Sequence, residues 1–170
     1  MESKHDLRKK AKNIRKNLAI ETKSRLAVEL IRQSSVYAFA KNVMFYYPMK
    51  NELNLLDLLN DDKNFYLPKV CAEKLLICPF KQGDKLVKSE FNVCEPCSNP
   101  IDVKELGLVI VPALMADKFG FRLGYGGGFY DRFLAENSAV KTILPIAKEL
   151  FVEELPHERF DKKVDEVIVV

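Results

Sequence analysis

The chain has 170 residues, of which 48% are hydrophobic and 30% charged, the balance of a globular fold rather than of a disordered or membrane-embedded one. No apolar run approaches the roughly 20 residues that cross a bilayer, and the charged start MESKHDLRKKAKNIRKNL has no signal-peptide apolar stretch, so a cytoplasmic protein with no membrane partner is expected. The net charge of +3 is uneven: residues 1–25 hold nine Lys/Arg against three Asp/Glu, which leaves the remainder net acidic and argues against a nucleic-acid binder.

Leu7, Ala11, Ile14 and Leu18 recur at helical spacing and predict an amphipathic helix over residues 3–18. Lys4, Arg8 and Arg15 fall just beside its apolar stripe, whereas Lys9, Lys12 and Lys16 point farther towards solvent, which separates candidate ligands from decoration. A second helix is expected over 21–34, with Leu26, Leu30 and Ile31 inward and Thr22 as its cap. The run NVMFYY (Asn42–Tyr47) before Pro48 reads as a buried strand, Leu53–Leu59 as a short helix, and Asn64–Leu67 and Leu75–Pro79 as strands, the former ending before Pro68. Residues 81–102 look like loops with at most one weak strand. Leu106–Val111 has the continuous apolar character of a central parallel strand, closed by Pro112. Phe129–Glu136 is read as a helix with Phe129, Phe133 and Leu134 as its apolar positions, Thr142–Ile146 and Val164–Val169 as strands, and Lys148–Leu155 as an acidic helix or turn. Strands alternating with helices indicate an α/β fold: a single domain over 1–170, with a mainly parallel open sheet flanked by helices and a basic helix at its N-terminus.

Cys94-Glu95-Pro96-Cys97 has redox or half-zinc spacing, but no second CxxC accompanies it and neither His5 nor His157 is near in sequence. Cys71, Cys78, Cys94 and Cys97 are therefore read as reduced, ordinary thiols.

Five of the seven glycines, Gly120, Gly124, Gly126, Gly127 and Gly128, crowd into FGFRLGYGGGFYDRF. Glycine admits positive φ and lets an anion approach main-chain N–H groups, and a helix starting just after the loop adds unpaired donors and the positive end of its dipole. Arg122 has the fork that grips phosphate oxygens, and Asp131 in the first helical turn has the hard carboxylate that suits Mg²⁺. The spacing matches neither GxxxxGK[ST] nor GxGxxG, so a tight turn, a surface ion pair for Arg122 and dipole complementation by Asp131 remain open readings at this point. A kinase or sugar-phosphate isomerase reusing such a loop, or an RNA-binding protein using the basic helix, are the alternatives.

Residues 111–134, VPALMADKFGFRLGYGGGFYDRFL, resemble the signature of the 5-formyltetrahydrofolate cyclo-ligase (5,10-methenyltetrahydrofolate synthetase) family, in which a strand end leads through an RLGYGxGYYDR loop. Lys4-x-x-x-Arg8 with Arg15 is similar to that family's nucleotide-contacting helix, and Tyr47–Leu53 to its folate-contacting segment; Phe65–Lys69 and Leu155–Asp165 also correspond. The resemblance implies an ATP- and Mg²⁺-dependent ring closure of 5-formyltetrahydrofolate to 5,10-methenyltetrahydrofolate through a phosphorylated formyl group. It implies an ATP site made of Lys4, Arg8, Arg122, Leu123, Gly124, Tyr125, Gly126, Gly127, Gly128, Phe129 and Tyr130, with Arg122 and Tyr130 catalytic. Met49, Glu52, Asn54 and Tyr125 would contact the folate, mono- or polyglutamylated, and Asp131 and Asp161 the Mg²⁺. A monomer or small homo-oligomer is expected. The chain departs from the family pattern at Asn54, where many members are acidic, at Phe129 in place of the first tyrosine of YYD, at Phe160 in place of a histidine, and at Gly127, where some members have lysine.

Overall fold

A computed structural model describes residues 2–170. Ser3 caps the first helix, α1 (Lys4–Arg15), its hydroxyl accepting the Asp6 amide at 3.2 Å. The expected stripe is the inward one: Leu7 and Ala11 are buried, Ile14 and Leu18 pack against the same cluster, and Lys9, Lys12 and Lys16 are exposed. The next helix, α2 (Ile20–Gln33), starts at Ala19 without a side-chain cap, so Thr22 lies inside it; the chain turns directly out of Leu18, whose carbonyl accepts the Ile20 amide at 2.8 Å. Its buried face is Ser24, Ala27, Val28 and Ile31, and Leu26 is exposed instead, one residue off the stripe. A short helix α3 (Ser35–Phe39) follows.

The main sheet is built from β1 (Asn42–Met44), β2 (Asn64–Cys71), β3 (Lys74–Pro79), and three later strands. Between β3 and those strands, β4 (Leu86–Lys88) and β5 (Cys94–Pro96) form a separate hairpin where mostly loop was expected. Then come β6 (Leu108–Ile110), the pair β7 (Met115–Asp117) and β8 (Arg122–Leu123), helix α4 (Phe129–Glu136), β9 (Lys141–Ile146), β10 (Phe151–Val152) and β11 (Glu166–Val169). The six strands of the main sheet run in the order β11-β9-β6-β1-β2-β3, parallel throughout except for β3 at the edge. Alternation sorts the core. On β6, Leu108 and Ile110 face the α2 and α3 side, while Val109 and Val111 face the α1 and α4 side.

β2 continues through Pro68, which sequence reading takes as a stop. Phe80 N–H donates to Phe65 O, so alternate residues of β2 from Phe65 onward face β3, and Pro68 turns its missing N–H the other way. β1 pairs only as far as Tyr66, so no ladder bond is lost there.

From β1 the chain builds outward through β2 and β3, then returns to the other side of β1 for β6, β9 and β11. The strand order thus reverses between β1 and β6, and the crevice beyond their carboxyl ends is where sheets of this kind hold ligands. Two segments leave that point: Phe45–Leu55 after β1, and Val111–Leu114 after β6.

Candidate active site

β7 and β8 form an antiparallel pair joined by a turn over Asp117–Phe121, with β10 on the far side of β7. The fully buried Asp117 carboxylate holds this turn by accepting the Phe119, Phe121 and Leu155 amides, all at 2.9 Å. Gly120 belongs here, not to the ligand loop. Its φ is +86° and an added Cβ would lie 2.9 Å from the Val164 carbonyl, whose own amide bonds to Gly120 O. This contact brings residues 161–164 alongside β8.

β8 hands the chain to the loop Gly124–Gly128, and α4 begins at Phe129 as the sequence pattern predicts. Gly126 (φ +109°) and Gly128 (φ +68°) occupy conformations closed to most side chains, and Gly128 caps α4 with no side-chain hydrogen bond. The first amides of α4 therefore point out of the helix beneath an exposed glycine pair, Gly126 and Gly127. Gly127 has little room for a side chain: a Cβ there would approach the Phe129 ring to 2.7 Å. That ring is held by Phe91, edge-on at 5.7 Å, and by Arg132 at 5.0 Å. The two departures from the family signature at 127 and 129 are thus structurally linked.

Two α1 cations, Arg8 and Arg15, meet this loop, and a third, Lys4, meets the segment beside it. Lys4 Nζ lies 2.6 Å from Asp161 Oδ2. Arg8 Nε donates to Gly124 O at 2.9 Å, and its guanidinium runs along Gly126. Arg15 Nη1 donates to the Tyr125 hydroxyl at 2.6 Å and lies 3.6 Å from Glu52 Oε1, while Nη2 bonds to Ala113 O.

At the base of the loop, Arg122 is almost fully enclosed, its side chain 3% exposed. It donates to Lys162 O at 2.6 Å and to Asp131 Oδ1 at 2.9 Å, and the Lys162 amide donates to the same Asp131 oxygen at 3.0 Å. Asp131 Oδ2 and Asp161 Oδ1 accept no hydrogen bond among the described residues. Partial burial works to raise the Asp161 carboxyl, but hydrogen bonds from Lys4 and the Glu158 amide, with the charges of Lys4 and Arg122, outweigh it and hold the group below its usual value.

On the other side of Tyr125 lies the segment after β1. The Glu52 side chain, 4% exposed, takes the Tyr125 hydroxyl on Oε1 and the Met49 amide on Oε2 at 2.8 Å. Glu52 also lines an open groove of about 1060 Å³ between α2 and residues 48–60, together with Met49, Asn54, Val28, Leu56, Arg25 and Lys50. Asn54 sits on its exposed rim, where its side-chain oxygen accepts the Leu56 amide at 3.0 Å.

A model of the 5-formyltetrahydrofolate cyclo-ligase family matches residues 1–170. The chain belongs to that family. Its relatives include the Haemophilus influenzae protein named 5-formyltetrahydrofolate cyclo-ligase, 29% identical over 188 residues that span 99% of this chain and 98% of that one. The Escherichia coli K12 protein of the same name is 31% identical over 142 residues, 76% of this chain and 78% of its own length. Among solved structures, the NMR structure of Aquifex aeolicus 5,10-methenyltetrahydrofolate synthetase aligns with a TM-score of 0.81 at 28% identity, covering 98% of this chain and 89% of that one.

In this cyclo-ligase-family chain the residues singled out from sequence fall into two linked groups. One is the loop with Lys4, Arg8, Arg122, Tyr130, Asp131 and Asp161; the other is Met49, Glu52 and Asn54 at the groove, with Tyr125 joining them. Leu123 is buried in β8 and offers the loop only its main chain. Burial, and after it the Glu52 charge, raises both Tyr125 and Tyr130 well above the ordinary phenol range, against opposing charges from Arg15 and Arg122 respectively. Both are neutral O–H groups at physiological pH and cannot serve as bases. Sequence reading leaves Ala113 and Lys162 out of the site, because both act through main-chain atoms that carry no residue signature. Arg15 was visible beside the α1 stripe and in the likeness of α1 to a nucleotide-contacting helix, but not as a partner of Glu52 and Tyr125.

Proposed function

We propose that this chain closes 5-formyltetrahydrofolate to 5,10-methenyltetrahydrofolate at the expense of ATP, releasing ADP and phosphate. One observation carries the reading: an exposed glycine loop opening a helix whose glycine cap brings no side-chain hydrogen bond is joined by Tyr125 to a buried carboxylate, Glu52, that lines the groove beside α2. A triphosphate on the first and a pterin in the second place the two reactants at one switch-point crevice.

A formyl group on nitrogen is amide-like, so its carbon is a weak electrophile and its oxygen a poor leaving group. In the proposed path the formyl oxygen attacks the γ-phosphorus and ADP departs, leaving a phosphate ester on an iminium carbon. N10 attacks that carbon, phosphate leaves with the C–O bond electrons, and the N10 proton is lost. The protein's part is alignment and charge neutralisation. The Gly126–Gly128 main chain and the α4 amides would receive phosphate oxygens, with Lys4 and Arg8 supplying positive charge from α1. Arg122 would act from beneath, fixing the loop ends and adding charge behind Asp131, and Tyr130 would offer a neutral O–H donor. Met49 and Asn54 would border the pterin, Glu52 would accept its amide-edge N–H groups, and Arg25 and Lys50 on the rim would meet glutamyl carboxylates.

Among the described residues no group of three or more His, Cys, Asp or Glu side chains is placed to hold a metal. Mg²⁺ nevertheless fits the donor set, since it commonly binds through one or two carboxylates, water and substrate phosphates, and Asp131 and Asp161 each keep an oxygen free. When bound, Mg²⁺ would offset the negative charge of the nucleotide. Purified protein supplied with ATP, Mg²⁺ and 5-formyltetrahydrofolate is expected to develop the near-ultraviolet absorbance of the methenyl product. Nucleotide binding without that product contradicts the proposal.

A further inference from the structure

The Arg15 side chain is the least expected part of the molecule. It stands at the exposed end of a lysine-rich helix, yet it is only 10% exposed and paired with a carboxylate that is 4% exposed. Enclosing two charges costs desolvation free energy that the pair itself repays only in part, so such a pair is poor evidence of stabilisation and invites a search for another use. Its contacts suggest one. Nη1 reaches the Tyr125 hydroxyl at 2.6 Å and Glu52 Oε1 at 3.6 Å, Nη2 reaches Ala113 O, and the guanidinium lies 5.9 Å from the Tyr125 ring centre. Those partners belong to the glycine loop, the segment after β1 and the segment after β6. Arg15 also lines a small void with Glu52, Pro112, Ala113, Pro145 and Ile146, at the carboxyl ends of β6 and β9.

We propose that Arg15 is a positioning residue that couples the two ligand subsites, so that occupation of either one strengthens binding at the other. The inference rests on the functional reading given above. Tyr125 lies between Gly124 and Gly126 at the tip of the loop and is 42% exposed, while Glu52 is fixed by the Met49 amide in the groove wall. The loop's glycines leave it with conformational freedom that a bound triphosphate must remove. A groove ligand that donates N–H groups to Glu52 competes with the Tyr125 hydroxyl for the same carboxylate. Arg15 holds both partners, so the hydroxyl stays tethered when Glu52 turns to the ligand. The ordering cost of loop and wall is then met once by whichever ligand arrives first, and the second binds more tightly.

The test is a binding square on the full chain, using a non-hydrolysable ATP analogue with Mg²⁺ and 5-formyltetrahydrofolate, each titrated by calorimetry alone and in the presence of the other. Wild type is expected to show a reciprocal gain of about fivefold or more, the range typical of coupled sites. Arg15→Lys keeps a charge but loses the fork, and Tyr125→Phe keeps the ring but loses the hydroxyl; each is expected to bring the gain close to one while each single-ligand affinity falls by about threefold or less. A role confined to stability would lower the melting temperature of Arg15→Lys and leave the gain intact, which overturns the proposal. So does wild-type binding of both ligands with no gain. Failure of wild type to bind either ligand instead overturns the functional reading on which the coupling depends.

Discussion

The glycine loop has two ends of opposite character. At its base Arg122, Asp131 and the Lys162 main chain close a ring of hydrogen bonds around a guanidinium that is 3% exposed, and every contact joins residues fixed by β8, α4 or the segment packed on Gly120. At its tip Tyr125 is 42% exposed, and its hydroxyl is shared between Arg15 and Glu52, from the end of a helix and from a loop. An enclosed, fully paired charge is a brace, since removing either partner strands the other in a poorly solvated place. The Tyr125 hydroxyl, with one donor in Arg15 and one acceptor in Glu52 on a residue that keeps part of its surface in solvent, can change partners at smaller cost. The loop is thus anchored where it meets the scaffold and adjustable where it faces the groove.

The contrast is broken most severely by Arg122→Ala. Loss of the brace is expected to remove about 3 kcal/mol of stability and to lower kcat/KM by about 10²-fold or more, read by urea denaturation and steady-state kinetics on the folded variant. An unchanged midpoint and rate would show that the base is decoration. Gly128→Ala attacks the hinge between the two ends. Its φ of +68° and an Arg132 Nη1 only 2.8 Å from the added methyl predict a loss of about 1–2 kcal/mol, with KM for ATP raised more than kcat is lowered; a variant as stable as wild type would deny the left-handed cap any importance.

The smallest effect concerns Lys4 and Asp161. Because the Asp161 carboxyl is held below its ordinary value of 3.8 in the folded state, its contribution is fully present above that value and is lost as the pH falls below it. Asp161→Asn is therefore expected to cost about 1 kcal/mol or less near neutrality, in keeping with a partly exposed pair, and to converge with wild type in melts between about pH 4 and pH 2. Parallel stability curves across that range would remove the ion pair from the account.

Periodicity was sufficient for the parts of the fold whose burial is decided locally. The α1 stripe, the Phe129–Glu136 helix and the apolar run of β6 can be read directly, and Lys4, Arg8 and Arg15 separate from their solvent-facing neighbours by helical angle alone. What could not be read depends on partners distant in sequence. β7, β8 and β10 span two or three residues each, too short to display a period of two, and exist because they pair with one another. Pro68 is tolerated because β1 has already ended beside it. Gly120 looks like part of a phosphate loop until Val164 is placed against it, and Arg122 looks like a free phosphate fork until the Lys162 carbonyl is found in its grip. The convergence of Arg15, Glu52 and Tyr125 joins residues far apart along the chain and leaves no mark on any local window.

The proposed chemistry requires the nucleotide's phosphates to sit on the glycine loop. In a 15N-labelled sample titrated with a non-hydrolysable ATP analogue and Mg²⁺, the amide resonances of Gly124 to Asp131 are predicted to shift first and furthest, with Arg8 following. Saturable binding that moves resonances elsewhere while this stretch stays still would contradict it.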